Sequence, residues 1–274
     1  MPIQQMMLGA GGAADKIYID DVFSTYLYKG NASSRSIVNG IDLSGEGGMV
    51  WIKDRSTAYN HVIQDSVRGL GATTKISSNL ANAENDGDNA LQWSGYVSAF
   101  NSNGFSLDKT GSGAIDWANV NKNNDNYTSW SFRKASKWMD IKQWSGNGTD
   151  NRVISHDLEC IPGCIIMKDL EGSENWVFYH RDLPTGKILR MNKTHSLQTA
   201  DLMGSTRNVT STGFTIGSGN EVNGAGKDYI AYIFQGGESD AATARSVDFD
   251  GNDYLSIPVN NSDFDWAADG SLTI

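Results

Sequence analysis

The sequence predicts an all-β protein: two duplicated antiparallel β-sandwich modules behind a short N-terminal segment, with the beginning of a third β-sandwich after them. Three observations predict it. The chain repeats itself: Tyr28-Lys29-Gly30-Asn31, Ser36 to Gly40 and Gly47 to Asp54 return as Trp144-Ser145-Gly146-Asn147, Arg152 to His156 and Pro162 to Asp169. The later parts match as well, Asn103-Gly104-Phe105, Asn119-Val120-Asn121 and Tyr127 to Phe132 against Thr212-Gly213-Phe214, Glu221-Val222-Asn223 and Tyr229 to Phe234. The period is roughly 110 residues, the size of a domain and too long for a solenoid unit. Turn formers come next: 30 Gly and many Asn and Ser punctuate short apolar runs, as expected where the backbone often needs positive φ. Finally, no convincing amphipathic helix of 12 or more residues can be found, which points to packed sheets.

Four segments follow from the repeat boundaries: 1–27, 28–141, 142–237 and 238–274. In the first, Met1 to Leu8 is short, apolar and Met-rich, and Gly9 to Ala14 has the composition of a flexible hinge. The apolar start either docks into a partner groove or packs on its own chain. Asp15 to Tyr28 reads as one strand followed by another, or as a short helix around Asp21 to Leu27.

In the first module, Met49 to Lys53 is a buried strand ended by Asp54-Arg55-Ser56-Thr57, and Tyr59 to Asp65 is its hairpin partner. Gly69 to Asp88 is polar and rich in turn residues, so an exposed loop is expected. Val97 to Phe100 and Phe105 to Asp108 form a hairpin around Asn101-Ser102-Asn103-Gly104. Tyr127 to Arg133 alternates with period two. In the second module, Cys164 to Lys168, Trp176 to His180, Asn208 to Gly217 and Tyr229 to Phe234 take the equivalent places. Ser246 to Ile257 then alternates around Gly251-Asn252-Asp253 as a hairpin, and the chain stops at Ser271-Leu272-Thr273-Ile274 on a fresh strand. The expectation is that it stops inside a third domain of a longer protein.

Charge narrows the function classes. With 22 Lys+Arg against 32 Asp+Glu the net charge is −10, which repels phosphate backbones and anionic membranes. Nucleic-acid binding and membrane insertion are not expected, and no stretch reaches the roughly 18 apolar residues of a spanning helix. The start carries no basic leader of the secretory kind. Cys160 and Cys164 flank Ile161-Pro162-Gly163, where a disulfide would close only a short loop, so two free, packed thiols and folding in a reducing cytoplasm are expected.

Candidate chemistry is thin. Asp65-Ser66-Val67-Arg68-Gly69 sets a serine beside an acid without a nucleophile elbow or a placed histidine. His61, His156, His180 and His195 show no metal spacing. Asp20-Asp21 and Glu84-Asn85-Asp86-Gly87-Asp88 could offer oxygen ligands to calcium or be solvated turns; the second lacks the downstream bidentate Glu. Asn121 to Asn126 reads as a hairpin loop, and Gly45 to Gly48 and Gly217 to Gly226 lack the Lys-Ser/Thr of a phosphate cradle. Trp117 and Trp138 lie outside the clean strand runs, as core residues, subunit contacts or sugar-stacking platforms. No catalytic, cofactor or metal residue is assigned, and no cofactor is expected.

Two resemblances bear on function. Phe249-Asp250-Gly251-Asn252-Asp253-Tyr254-Leu255, followed by Phe264-Asp265-Trp266, resembles the opening of a laminin-G-like or concanavalin-A-like lectin domain. The duplicated modules resemble domains of tail-fibre and related appendage proteins of marine tailed phages, cyanophage-like. The residues that carry this are Tyr28 to Asn31, Gly48 to Lys53, Asp65 to Gly69, Asn103 to Phe105 and Tyr232 to Glu238. The resemblance implies a virion-located homotrimer, synthesised in the host cytoplasm and without catalysis. Its N-terminal anchor (Met1, Pro2, Ile3, Met6, Met7, Leu8) would sit on tail proteins of the adaptor or nozzle type. A host-surface glycan or protein would be contacted by regions beyond residue 274. Ancillary modules of a phage polysaccharide depolymerase, or a capsid-borne decoration protein, are the alternatives.

Overall fold

The computed structural model describes residues 17–85, 95–109 and 117–237. The chain divides after Gly237 into two units, and every described residue lies in the first. The protein is all-β. In the first half the chain runs through α1 (Ile19–Val22), β1 (Phe23–Lys29), β2 (Arg35–Val38), β3 (Gly48–Asp54), β4 (Val62–Asp65), β5 (Tyr96–Asn101), β6 (Gly104–Asp108) and β7 (Asn126–Arg133). In the second half it runs through β8 (Met139–Ser145), β9 (Arg152–Ser155), β10 (Pro162–Asp169), β11 (Val177–His180), β12 (Lys187–Arg190), β13 (Gln198–Thr199), β14 (Gly213–Ile216) and β15 (Asp228–Gln235).

The halves share one topology. A four-stranded sheet has the order β1-β7-β3-β4, and a six-stranded sheet contains β8-β15-β10-β11 in the equivalent order before adding β12 and β13. Opposite the first lies β2-β6-β5, opposite the second β9-β14, and every pairing is antiparallel. β1 and β8, the equivalent first strands, begin at Phe23 and Met139, ahead of the boundaries at 28 and 142 read from the sequence. The lead-in from Ile17 follows neither alternative as read: the helical turn lies earlier, at Ile19–Val22, and Phe23 to Leu27 are strand, paired with β7.

Identical side-chain chemistry explains why the repeat survives in the letters. Asn121 donates to Oδ1 of Asn31 (2.9 Å) and to the carbonyl of Ser33 (2.7 Å) while accepting from the Asn31 backbone N–H (3.1 Å). Asn223 does the same with Asn147 (3.1 Å), the carbonyl of Thr149 (2.8 Å) and the Asn147 N–H (3.0 Å). Tyr28 stacks on Tyr127 at 5.2 Å, as Trp144 stacks on Tyr229 at 5.6 Å. The Tyr28 hydroxyl reaches the carbonyl of Val120, and the Trp144 Nε1–H that of Val222. Asn121 is thus buried framework, not a hairpin-loop residue. Lys53 and Lys168 each turn their ammonium onto the backbone carbonyls of the tight turn that follows their strand. Burial pushes the Lys168 amine down to about 8.

Alternation along the strands builds three cores from two sandwiches. Val50 and Ile52 face inward with Ile37, Val97, Phe105, Leu107 and Trp117. Ile165, Met167, Tyr229, Ala231 and Ile233 do so in the other half with Ile154, Phe214 and Ile216. The opposite faces of the two large sheets meet each other through Met49, Ile63, Ile76, Met139, Ile141, Trp176, Ile230 and Tyr232, with Trp51, Phe132, Trp138 and Phe234 at the margin. The halves are therefore fused face to face, and apolar burial of roughly 25 cal/mol per Å² works on both sides of each large sheet. A sheet covered on both faces loses its clean alternation, which is why Met49 to Ile52 and Tyr229 to Phe234 read as unbroken apolar runs.

One expectation fails here. The segment read as an exposed loop from Gly69 carries Lys75, Ile76, Ser77 and Ser78 in fully buried positions. Ile76 bridges to Ile63 by two backbone hydrogen bonds, and the Ser77 carbonyl accepts from Nε1 of Trp176 at 2.8 Å. Polar residues here satisfy backbone groups at the seam between halves, so their polarity does not signal solvent. The hairpin at Asn101 is present, with Asn101 opposite Gly104 and Ser102-Asn103 as its two-residue loop.

Candidate functional site

Among the described residues a cleft lies where the halves join. After β7, Lys134 donates its backbone N–H to the Gly47 carbonyl (2.9 Å), and Ala135 bridges to Met139 at the start of β8. Arg133, Lys134 and Ser136 of this junction line the cleft, of about 590 Å³, together with Ile17, Asp21, Gly40, Asp42 and Glu46. Asp42 closes a small turn, accepting from the Ser44 hydroxyl (2.8 Å) and backbone N–H (3.0 Å), and these bonds hold its carboxyl below the ordinary range. Gly47 has φ 74°, and a Cβ there would run into the Ser66 side chain. A second hollow of about 450 Å³ shares Glu46 and Lys134 and adds the apolar wall Val67, Leu70 and Phe100. Carboxylates, two cations and hydroxyls around a shallow trough suit hydrogen bonding to an extended polar chain.

A buried polar node ties the halves behind this region. Arg68 places Nε 2.6 Å from Oδ2 of Asp65 and Nη1 2.6 Å from Oε1 of Glu84, and Nη1 also meets the Thr74 carbonyl at 2.8 Å. Tyr232, from the other half, donates to Oδ2 of Asp65 at 2.7 Å. Burial raises the Glu84 carboxyl, with Arg68 pulling the other way, and raises the Tyr232 phenol strongly. The Asp65 to Gly69 motif is thus an ion-pair corner, with Ser66 Oγ accepting from the Gly48 N–H.

Other residues singled out in the sequence go to separate places. His61 accepts from Nε1 of Trp51 at 2.8 Å, and burial with nearby Lys53 pushes its imidazole down to about 4. His156 accepts from the Leu158 N–H, and His180 from that of Asp182. Among the described residues no three His, Cys, Asp or Glu side chains come together to hold a metal. Glu84 serves Arg68, while Asp86 to Asp88 lie outside the described residues. Cys160 and Cys164 are free, and burial pushes the Cys164 thiol up to about 12. Trp117 is fully buried in the first sandwich, so it offers no sugar platform; Trp138 packs at the seam. Met1, Pro2, Ile3, Met6, Met7 and Leu8, the Gly9 to Ala14 hinge and the lectin-like stretch from Phe249 lie outside the described residues.

Sequence reasoning missed the Arg68, Glu84 and Tyr232 constellation because its members are far apart in the chain. The available signal was Asp65 and Arg68 bracketing a strand end in an otherwise apolar context.

Fold and cleft together define a class: a fused double β-sandwich with a polar junction trough. The chain belongs to the family described as a domain of unknown function, DUF7483, which matches residues 19–239. No curated protein and no solved structure matches it.

Proposed function

We propose that this protein is a structural component of a phage virion, of the tail-fibre kind, with the segment before Ile17 seated on the tail and the segment after Gly237 leading to a host-contacting region. The observation that carries the reading is where the fused body is joined to the rest of the chain. Phe23 opens β1, Phe132 lies near the end of β7, Trp138 precedes β8 and Phe234 lies near the end of β15. Their rings pack together: Phe23 to Phe132 at 4.9 Å, Phe23 to Trp138 at 6.3 Å, Phe132 to Phe234 at 5.6 Å.

The chain therefore comes in and leaves at one end of the body. Ends set close together suit a lobe carried on an appendage better than a spacer that lengthens a shaft. The net charge of −10 of the whole chain disfavours adhesion to nucleic acid during assembly.

Mass spectrometry of purified virions tests the reading, combined with a deletion of residues 1–12. The full chain is expected among virion proteins, and the truncated chain is expected to fold but to be absent from particles. Absence of the full chain from virions overturns the proposal; normal incorporation of the truncation overturns the anchor.

A further inference from the structure

Sheet edges are sites of unwanted pairing, and folded proteins guard them with short strands, bulges, charges or covering segments. Among the described residues each edge but one is guarded. β4 is covered by the Ile76 segment, and β14 by Val209, which bridges to Phe214. β5 carries a register shift between Val97 and Ala99. β2 and β9 have four residues each and β13 two. β8 carries Asp140 and Lys142, ion-paired with each other at 3.4 Å and, through Lys142, with Asp157.

β1 is the exception along its middle, between the Phe23 N–H, which donates to the Ile19 carbonyl, and the Lys29 carbonyl, which accepts from Arg35. It pairs with β7 in unbroken register from Phe23 to Lys29, with no bulge and no proline. The duplication supplies an internal control: aligning Tyr28 with Trp144 sets Tyr26 against Lys142 and Leu27 against Gln143. Where β8 presents charge and amide, β1 exposes Tyr26 and Leu27, the latter 60% exposed.

The charges flanking β1 are divided by end. Asp20 and Asp21 stand exposed just before its N-terminal end. At its C-terminal end are Lys29 and Arg35, whose guanidinium holds the Lys29 carbonyl at 2.9 Å. Antiparallel pairing of β1 with the β1 of a second copy lays each acidic end against a basic end, whereas a parallel approach would set like charges together. A two-fold axis satisfies both contacts at once.

We propose that β1 is a self-complementary interface through which two copies of this chain join their four-stranded sheets into one eight-stranded sheet. The proposal goes beyond the appendage reading and is independent of virion location. It names a two-fold contact, not the three-fold assembly that the tail-fibre resemblance implies.

Sedimentation velocity and light scattering of the full chain over a concentration series test it, with far-ultraviolet circular dichroism to check folding. The wild type is expected to form dimers. Leu27→Lys should weaken them by at least about tenfold, because it puts a charge into the new strand pair. Asp20→Lys and Lys29→Glu should each weaken association by roughly three- to tenfold, and the double variant Asp20→Lys/Lys29→Glu should restore it. A wild type that stays monomeric, a trimer, a dimer indifferent to Leu27→Lys, or a double variant weaker than either single one overturns the proposal. The charge pair at exposed positions keeps the test valid even if Leu27→Lys misfolds.

Discussion

Tyr232 donates its hydroxyl hydrogen to Oδ2 of Asp65 across 2.7 Å, joining residues 167 positions apart on opposite halves of the molecule. The same oxygen accepts from Nε of Arg68, so one carboxylate secures both its own corner and the neighbouring half. Removing a member of a buried charged network leaves the others desolvated without a partner, a larger loss than the net worth of the bond. Tyr232→Phe is expected to destabilise by about 1–3 kcal/mol and Arg68→Leu by about 3–5 kcal/mol in urea unfolding. Equal, small effects from both would mean that the node is solvated.

The matched asparagine pairs predict matched penalties. Asn121→Ala removes bonds to Asn31 and Ser33, and Asn223→Ala removes those to Asn147 and Thr149. Each is expected to cost about 2–4 kcal/mol, since several buried bonds go at once. Chemical denaturation of the two variants side by side checks this. A neutral Asn223→Ala beside a damaging Asn121→Ala would show that the second copy has lost the role.

Backbone contact makes two glycines indispensable. A Cβ on Gly30 would meet the carbonyl oxygen of Lys122, and one on Gly146 that of Gly224. Backbone oxygen cannot step aside as a side chain can, so Gly30→Ala and Gly146→Ala should each lower the melting temperature by several degrees, on the order of 2–4 kcal/mol. Gly237→Ala, with open space around it, serves as the control and should be silent.

His61 gives the fold an acid-side sensitivity. Its imidazole is pushed down to about 4 by burial and by Lys53, and a proton on the Nδ1 that accepts from Trp51 would break that bond. The unfolded chain takes the proton at an ordinary pKa of about 6.5, the folded chain only near 4. The contribution is therefore complete above about pH 6.5 and declines as pH falls towards 4, where it levels off. His61→Gln should flatten that part of the stability profile relative to wild type. An unchanged slope would show that carboxylates alone set it.

How much of this was readable in advance differs from residue to residue. Gly30-Asn31 and Gly146-Asn147 were legible as a repeat because the same local bonds select the same residue types. Strand positions such as Gly48 to Asp54 and Asp228 to Gln235 were legible from their apolar runs. The meeting of the two large sheets was not drawn from those runs, although apolar residues on successive positions are the mark of two-sided burial. The seam residues Ser77 and Glu84 were hidden for a physical reason. Ser77 gives its carbonyl to Trp176, a contact that exists only once the halves are together, and Glu84 gives its carboxylate to Arg68 within its own half. The joint significance of Asp20, Lys29 and Leu27 depends on β1 standing at the margin of its sheet, which local pattern does not reveal.

The meeting of Phe23, Phe132, Trp138 and Phe234 also governs how the molecule bears tension. Phe23 lies opposite Phe132 in antiparallel register, as Met139 lies opposite Phe234, so a pull on either half acts at the mouth of a ribbon. Hydrogen bonds loaded in that direction break in succession, like the teeth of a zip, and never share the strain. Against traction the aromatic knot is thus the latch, and once it slips both sandwiches are open to stripping from the same corner.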